Sequence, residues 1–485
     1  MTKANTEEGF RKGFKSLYDT TADTELSYEG KPLPAWLNDW SVIRVGGAQF
    51  EVGEYSYNHF FDGLAMLFAF RIEDGKVRYT NKFLQSDDYV ISNKRGEISF
   101  TEFGTAPDRN LLDRLKSEFN IASMFGSNCL VNVIPGEDGW LAIYDWPAPM
   151  GFDPTTLETI GAAPYDDKLV MLINSPHPLY DPARQEWINF GVGVTSKGLG
   201  YPIFRMAEGS SKRELITTVD RLVPSYMHSF ALTENFVVLT EHPYKAVWKK
   251  LTTMGLRSAP LVENFAWKGD EPTTFFVVDR VLGRVVAEIE TDTFLTLHHV
   301  QAWEDEGFVH VELATYADDA VIKGLYFDKI MSPEGGEIPA GSYRRYSLDL
   351  AAQRCTWKEV TPQPLEMPRT HPGWSYQHKR FVYGVTKVRP DAFYDGLVKV
   401  DSETGETLLW SEPDVYANEP VFVPEPNGAT EDAGVVVTIV FDSNVSRAFL
   451  LVLDAHTFKE IGRADTGQCI PYGLHGMAQQ TVSAS

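Results

Sequence analysis

A repeated strand pattern in the last third of the chain constrains the fold more than any other feature. An apolar strand ends in an aspartate, a few turn residues follow, and a second strand begins; the aspartates are Asp349, Asp401 and Asp454, spaced by 52 and 53 residues. A similar pattern surrounds Asp153. The interval suits one four-stranded propeller blade with its loops, and seven such blades with insertions would use most of the 485 residues. We therefore favour an all-β propeller, with a β-sandwich carrying long hairpins as the alternative.

Local signals predict two hairpins and one helix in the first quarter of the chain. Apolar strands flank Asp74 and Gly75, a pair suited to a tight hairpin, and a second hairpin is predicted to turn at 94–96 (KRG). Segment 108–125 predicts an amphipathic helix, because apolar residues recur there at helical spacing among charged ones: Leu111, Leu112, Leu115, Phe119 and Ala122. No linker or low-complexity stretch interrupts the sequence, so residues 1–485 are predicted to form one domain.

The charge balance excludes some classes of partner. A formal net charge of −23 argues against nucleic-acid binding and against purely electrostatic docking on anionic lipid. The three cysteines, Cys129, Cys355 and Cys469, form no Cys-x-x-Cys pair and suggest no disulfide framework, which favours a reducing compartment. Residues 1–8 are polar, and no apolar run approaches the roughly 18 to 20 residues that span a bilayer. We expect a cytoplasmic protein.

Four of the eleven histidines lie in unusual settings. His177 stands between two prolines, His228 precedes a predicted strand, His298 is followed directly by His299, and His475 lies ten residues before the end of the chain. Neighbours on an extended segment point to opposite faces, so only one of His298 and His299 can face a given site. Converging neutral imidazoles would suit iron, copper or zinc. Spacing does not establish convergence, but a radial fold would let each blade send one residue to a shared axis.

Several separated motifs follow one another along nearly the whole chain: 57–67 (YNHFFDGLAML), 100–105 (FTEFGT), 224–230 (PSYMHSF), 298–305 (HHVQAWED), 419–423 (EPVFV) and 471–476 (PYGLHG). In this order they resemble the motifs of the carotenoid cleavage oxygenase family. The resemblance implies a seven-bladed β-propeller capped on one face by helices and long loops. It also implies one Fe(2+) per chain on the propeller axis.

The resemblance assigns the iron ligands as His177, His228, His298 and His475. It assigns three acids that orient ligand imidazoles by accepting their free N–H: Asp145, Glu366 and Glu419. Asp145 stands where the family usually has glutamate. Because the aspartate side chain is shorter, we expect a shifted backbone or a bridging water to connect it to its histidine. Gln301 stands where asparagine is common.

The resemblance implies a non-haem Fe(II) dioxygenase that adds O2 across an electron-rich alkene and yields two aldehydes or ketones. Motifs 57–67 and 100–105 favour the branch with animal β-carotene dioxygenases, and hence a carotenoid or apocarotenoid substrate. Stilbenoid cleavage is the alternative. Family members that cleave stilbenes place a lysine where Tyr144 stands here, and this difference counts against a stilbenoid substrate. Retinoid isomerohydrolase chemistry and a non-catalytic, polyene-binding propeller are less favoured readings.

A lipophilic polyene has to be taken from a membrane, so we expect reversible, peripheral membrane contact near the substrate entrance. Two stretches, 108–125 and 248–267, are predicted to belong to the cap or this entrance. The residues proposed to form the contact are Leu111, Leu112, Leu115, Phe119, Met254 and Leu256. Lys249 and Lys250 beside apolar residues suit an interfacial loop.

Overall fold

Seven antiparallel sheets of four to six strands make up most of the described part of the chain, as expected for a seven-bladed propeller. The structure is a computed structural model that describes residues 9–195, 197–332, 338–373, 376–390 and 392–480. The polar segment 1–8 lies outside the described residues, as do the chain ends of the predicted 1–485 domain. The all-β propeller prediction is confirmed, and the β-sandwich alternative is wrong. Five of the seven sheets are each built from one short stretch of the sequence, and strands from the chain ends complete the other two, instead of two large sheets stacking on each other.

The first blade takes strands from both ends of the described chain, and the next two blades are built from consecutive strands. Blade 1 contains Thr21–Glu25, Trp40–Gln49, Leu64–Glu73, Lys76–Phe83 and Gly476–Gln480. Blade 2 contains Asn132–Pro135, Trp140–Ile143, Met150–Phe152 and Thr159–Ala162. Blade 3 contains Met171–Asn174, Leu179–Asp181, Glu186–Thr195, Gly198–Ala207 and Glu214–Asp220.

Three blades of four strands follow, and the last blade gains an amino-terminal strand. Blade 4 contains Ala231–Leu232, Phe236–Glu241, Thr273–Asp279 and Arg284–Thr291. Blade 5 contains His299–Asp305, Phe308–Thr315, Ser342–Asp349 and Arg354–Thr361. Blade 6 contains Glu366–Arg369, Phe381–Thr386, Gly396–Asp401 and Thr407–Trp410. Blade 7 contains Ser27–Gly30, Val415–Ala417, Val421–Pro424, Gly434–Asp442, Arg447–Asp454 and Glu460–Asp465.

Short helices and two small ribbons lie between the blade strands. The α-helices are Asp87–Arg95, Leu111–Phe119, Trp248–Leu251, Met254–Arg257, Ala320–Gly324 and Phe327–Ile330. The 3-10 helices are Gly9–Phe14, Ala35–Leu37, Phe60–Asp62, Ile121–Met124 and Val262–Asn264. The ribbons pair Glu51–Val52 with Tyr55–Ser56, and Tyr244–Ala246 with Phe265–Trp267. Within the described ranges, no helix has the length and hydropathy that crossing a bilayer requires.

The local predictions have mixed outcomes. The hairpin at Asp74 and Gly75 is confirmed, since Leu64–Glu73 pairs with Lys76–Phe83. The hairpin predicted at 94–96 is wrong, because these residues end the helix Asp87–Arg95. The Ser86 side chain accepts from the backbone N–H of Tyr89, and Gly96 ends the helix at a φ of 71°. These are ordinary helix-capping signals, and they outweigh the turn propensity of the Gly.

The predicted helix at 108–125 is shorter than its apolar pattern. It spans Leu111–Phe119, begins at Asn110, whose side chain accepts from the backbone N–H of Asp113, and ends at Asn120. A 3-10 turn, Ile121–Met124, follows. The Ala122 side chain, which the apolar pattern included, lies outside the described side chains.

Candidate metal centre

The candidate ligands lie at the ends of the first strands of their blades. His177 follows Met171–Asn174 of blade 3, His228 precedes Ala231–Leu232 of blade 4, and His298 directly precedes His299–Asp305 of blade 5. His475 directly precedes Gly476–Gln480, the strand that the carboxyl terminus adds to blade 1. In a propeller these first strands surround the central axis, so four blades each direct one imidazole towards it.

The structure brings the four histidines together. Each offers one ring nitrogen, and these four nitrogens lie within 4.8 Å of one another. The Nε2 atoms of His177 and His228 are 3.0 Å apart, and those of His298 and His475 are 3.1 Å apart. Metal–nitrogen bonds of about 2.1 Å that meet at right angles would separate two ligand nitrogens by about 3 Å. The cluster therefore has the dimensions of a metal site.

Two of these rings are held by carboxylates on the side away from the cluster. His298 Nδ1 lies 2.9 Å from Glu366 Oε2, and His475 Nδ1 lies 2.7 Å from Glu419 Oε1. A carboxylate only accepts, so each Nδ1 carries the hydrogen and each Nε2 presents a lone pair. Two lone pairs that face each other across 3.1 Å repel unless a cation accepts both. The donor set therefore fits a borderline transition metal such as iron.

Burial favours the neutral form of two of the imidazoles, His177 and His475, and metal ligation requires that form. It lowers the pKa of His475 to about 4, although the adjacent Glu419 carboxylate acts in the opposite direction. The pKa of His177 lies well below its usual value because of burial and then because of His475. Burial alone would raise the pKa of Glu419, but the Arg369 guanidinium and His475 outweigh it and hold that pKa far below its usual range.

Glu419 is fixed from several sides. Arg369 Nε donates to Glu419 Oε1 at 2.9 Å, and the backbone N–H of Gly476 donates to Oε2 at 3.0 Å. The fully buried Arg44 donates to the backbone carbonyls of Glu419 and Leu474, both at 2.6 Å. This network ties the last ligand to blades 1, 6 and 7.

Asp145 does not reach its histidine directly. Its Oδ1 atom lies 3.7 Å from His228 Nδ1, which is too long for a hydrogen bond. The hydroxyl of Tyr226 lies between them, 2.9 Å from Asp145 Oδ1 and 3.2 Å from His228 Nδ1. The Tyr226 hydroxyl therefore bridges the shorter acid to the imidazole.

His299 faces away from the cluster. Its Nδ1 lies 2.7 Å from the Ser229 hydroxyl oxygen, and its Nε2 lies 2.8 Å from that of Thr240. This placement follows the alternation of side chains along an extended segment.

Two cavities border the imidazole cluster, and both contact His298 and His475. One has about 630 Å³ of empty space, its opening included, and is lined mainly by apolar and aromatic side chains, including Phe60, Phe61, Leu297, Val321, Phe393 and Leu474. His228, His298 and His475 also line it. The other, about 1280 Å³ with its open mouth, reaches the cluster at His177, His298 and His475 and is more polar, with Arg369, Lys379 and Glu419 in its wall. The first cavity suits an apolar ligand.

Comparison with known proteins agrees with this architecture. The sequence profile of the retinal pigment epithelial membrane protein family, RPE65, matches residues 14–477. The chain belongs to this family. It is the carotenoid cleavage oxygenase family that the sequence motifs indicated, so that prediction is confirmed.

Members of the family with known names are similar along most of the chain. The β,β-carotene 15,15′-dioxygenase of Gallus gallus is 30% identical over 496 residues, covering 92% of this chain and 93% of that protein. The mitochondrial carotenoid-cleaving dioxygenase of Mustela putorius furo is 30% identical, covering 92% of each. The expectation of an enzyme of the carotenoid cleavage dioxygenase class is confirmed at this level.

A solved carotenoid oxygenase shares the fold. The crystal structure of cobalt-substituted Synechocystis ACO, an apocarotenoid oxygenase, superimposes with a TM-score of 0.84 at 25% identity. The match covers 97% of this chain and 98% of that one.

The residues proposed for membrane contact form an exposed face, with one exception. Leu111, Leu112, Leu115 and Phe119 on one helix are 73%, 61%, 42% and 90% exposed, and Leu256 is 39% exposed. Met254 is buried, so its inclusion in this face is wrong. It begins the helix Met254–Arg257, which packs so closely on Leu111–Phe119 that a Cβ on Gly255 would lie 2.4 Å from the backbone nitrogen of Glu118.

Sequence analysis missed three side chains that hold this carotenoid oxygenase site together: Tyr226, Tyr316 and Arg369. Tyr316 donates to Glu366 Oε1 at 2.7 Å, which orients the acid that holds His298. Tyr226 had a usable signal, because it precedes His228 by two positions on an extended segment and therefore shares its face. Arg369 and Tyr316 had none, since their partners are distant in sequence.

Proposed function

We propose that the chain is a non-haem iron dioxygenase that cleaves an alkene double bond of a carotenoid or apocarotenoid. The reaction consumes one O2, breaks one carbon–carbon double bond and forms two aldehydes or ketones, each with one oxygen atom. One observation carries the proposal: the four imidazoles cluster beside a largely apolar, aromatic cavity, and three of them, those of His228, His298 and His475, form part of its wall. His177, His228, His298 and His475 would hold one Fe(2+), which supplies the chemistry that activates O2 when it is bound.

The protein side chains have clear parts in this reaction. The cavity excludes water and binds a long apolar substrate against Phe60, Phe61 and Phe393. Aromatic faces that line it can stabilise positive charge that develops along a polyene. Neutral imidazoles leave the charge of the metal uncompensated. Glu366, Glu419 and the Tyr226–Asp145 pair orient three of those imidazoles.

The lining of the cavity supports a polyene over a stilbenoid. Tyr144, not a lysine, lines the cavity beside Asp145. The relatives named β,β-carotene 15,15′-dioxygenase and carotenoid-cleaving dioxygenase support the same substrate class.

We also propose reversible contact with membranes through the face formed by Leu111, Leu112, Leu115, Phe119 and Leu256. These side chains are exposed and adjacent helices carry them. A cytoplasmic location is proposed as well, supported by the three free cysteines, which suit a reducing compartment.

The test is anaerobic reconstitution with Fe(II), metal analysis, and product mass spectrometry under labelled O2. β-Carotene, an apocarotenal and resveratrol serve as separate substrates. We expect one iron per chain and two labelled carbonyl products from a polyene. Product masses identify the bond cut, and chromatography separates isomers, since a relative in Galleria mellonella is named carotenoid isomerooxygenase.

A matched pair of variants identifies the site. His298→Ala should lose iron and cleavage, whereas His456→Ala, a substitution of a largely exposed histidine, should keep both. Cleavage of resveratrol alone would overturn the substrate class and keep the metal site. Bound iron without any cleavage would favour an isomerase or a polyene-binding protein.

A further inference from the structure

The imidazoles of the cluster are not supported alike. His298 and His475 each meet a carboxylate oxygen directly, at 2.9 and 2.7 Å. His228 meets the hydroxyl of Tyr226 at 3.2 Å, and the nearest acid, Asp145, lies 3.7 Å away. Tyr226 and Asp145 are both buried, so the missing direct contact is not replaced by bulk solvent.

The hydrogen-bond chain through Tyr226 has one direction that is compatible with metal binding. His228 Nε2 faces the other imidazoles, 3.0 Å from His177 Nε2, so metal ligation requires its lone pair and leaves the hydrogen on Nδ1. Nδ1–H then donates to the Tyr226 oxygen, and the single Tyr226 hydrogen donates to Asp145 at 2.9 Å. The opposite direction would put a hydrogen on Nε2, inside the cluster, and leave the carboxylate without this donor.

We propose that Tyr226 is the positioning residue of His228: its hydroxyl transmits the hydrogen bond of Asp145 to the imidazole and takes the place of a direct carboxylate contact. The inference rests on the proposed function only in that the cluster binds a metal. His228 then differs from His298 and His475, because a neutral hydroxyl is a weaker acceptor than a carboxylate. Of these three ligands, His228 is the one whose ring is held by the weakest acceptor.

The structure suggests a rescue experiment with four variants. Tyr226→Phe removes the hydroxyl and leaves the 3.7 Å gap. Asp145→Glu lengthens the acid by one methylene, enough to reach Nδ1 without the phenol. The double variant combines them. Tyr244→Phe is the control, because this buried tyrosine donates to the backbone oxygen of Val262 and does not contact the four histidines.

The readout is the rate at which the full-length, Fe(II)-loaded protein releases metal to a chelator under anaerobic conditions. We expect Tyr226→Phe to release metal about 10- to 100-fold faster, the usual effect of losing a partner of a ligand histidine. The double variant should return towards the wild-type rate, and Tyr244→Phe should match the wild type. The Co(II)-loaded proteins give a second readout, since the visible bands should shift in Tyr226→Phe and return in the double variant.

Two results would overturn the inference: wild-type release and spectrum in Tyr226→Phe, or a double variant no better than the single one. If Tyr226→Phe does not fold, Asp145→Glu decides alone, since a direct carboxylate should slow metal release, and an unchanged or faster rate would contradict the proposal. Metal release is measured without substrate, so a failure of polyene cleavage in the wild type would contradict the proposed function and leave this test intact.

Discussion

The ring of His59 is buried between two backbone groups outside the metal cluster. Its Nδ1 accepts from the backbone N–H of Phe61 at 3.1 Å, so Nε2 carries the hydrogen and donates to Ile322 O at 2.9 Å. Protonation would turn Nδ1 into a second donor that faces the N–H of Phe61. Burial lowers the pKa of His59 from 6.5 to about 4, although the Ile322 carbonyl acts in the opposite direction.

This residue predicts a pH dependence of stability. Between pH 6.5 and about 4 the unfolded chain binds a proton at His59 and the folded protein does not. The stability is therefore present above pH 6.5 and is lost as the pH falls, by up to about 3 kcal/mol. Urea unfolding at a series of pH values should show a steeper loss in the wild type than in His59→Asn. Equal slopes would contradict the prediction, and the difference between the two proteins removes the contribution of other titrating groups.

Two neighbouring histidines have different surroundings in the structure. His298 and His299 are adjacent, yet one faces the cluster and the other is bonded to Ser229 and Thr240. Alternation along the strand predicted that they would differ, and the family motif indicated which one faces inward. The bridging role of Tyr226 required the distance between Asp145 and His228, which no sequence pattern contains.

At the scale of single elements, the repeated aspartates have a common structural cause. Asp349, Asp401 and Asp454 end the strands Ser342–Asp349, Gly396–Asp401 and Arg447–Asp454 of blades 5, 6 and 7. Each carboxylate accepts backbone N–H groups of the following turn, at 2.8 Å from Ala352, 3.0 Å from Glu403 and 2.7 Å from Thr457. This local turn chemistry made the repeat visible in the sequence.

Substitutions in the exposed leucine face of Leu111–Phe119 and Met254–Arg257 test the proposed membrane contact. Leu111→Ser, Leu115→Ser and Leu256→Ser together should reduce co-sedimentation with zwitterionic liposomes by about tenfold or more, because burying each leucine side chain contributes about 1.5 to 3 kcal/mol. Binding of the wild type should persist in high salt, since a chain of net charge −23 does not depend on attraction to anionic lipid.

The matched control replaces three exposed leucines elsewhere: Leu222→Ser, Leu282→Ser and Leu409→Ser, at positions 75%, 62% and 46% exposed. It should bind liposomes like the wild type. Equal loss in both triple variants would point to general surface hydrophobicity, and no loss in the first variant would contradict contact through this face.

For the whole molecule, both chain ends close the ring of blades. Gly476–Gln480 pairs with Trp40–Gln49 in blade 1, and Ser27–Gly30 pairs with Glu460–Asp465 in blade 7. The carboxyl-terminal strand also carries the metal site, because His475 immediately precedes it and the backbone N–H of Gly476 donates to Glu419. The strand that closes the ring of blades therefore also holds the fourth ligand, His475, in place.

A chain that ends at residue 475 should be less stable and should bind metal less completely. Without Gly476–Gln480 the inner edge of blade 1 is unpaired, and Glu419 and Arg369 lose their partners at Gly476. We expect a lower thermal midpoint and less than one iron per chain by metal analysis. A chain that ends at residue 480 keeps the strand and should match the full-length protein. Full iron content in the shorter chain would contradict the coupling of closure to metal binding.

The sequence by itself determined the features that depend on local chemistry. Turn aspartates at blade-length intervals predicted a propeller, strand alternation separated His298 from His299, and family motifs named the four histidines and their acids. Local signals gave a wrong prediction where a turn signal and a helix-capping signal coincided. Gly96 caps a helix and does not form the turn of a hairpin.

Only the tertiary structure decided which of these groups meet. The burial of Met254, the bridge through Tyr226 and the support of Glu419 by Arg369 arise between segments far apart along the chain. The physical reason is that short-range patterns report backbone preference and the apolar face of one element. Distances of a few tenths of an ångström, which separate a direct hydrogen bond from a relayed one, are fixed only when seven blades pack around one axis.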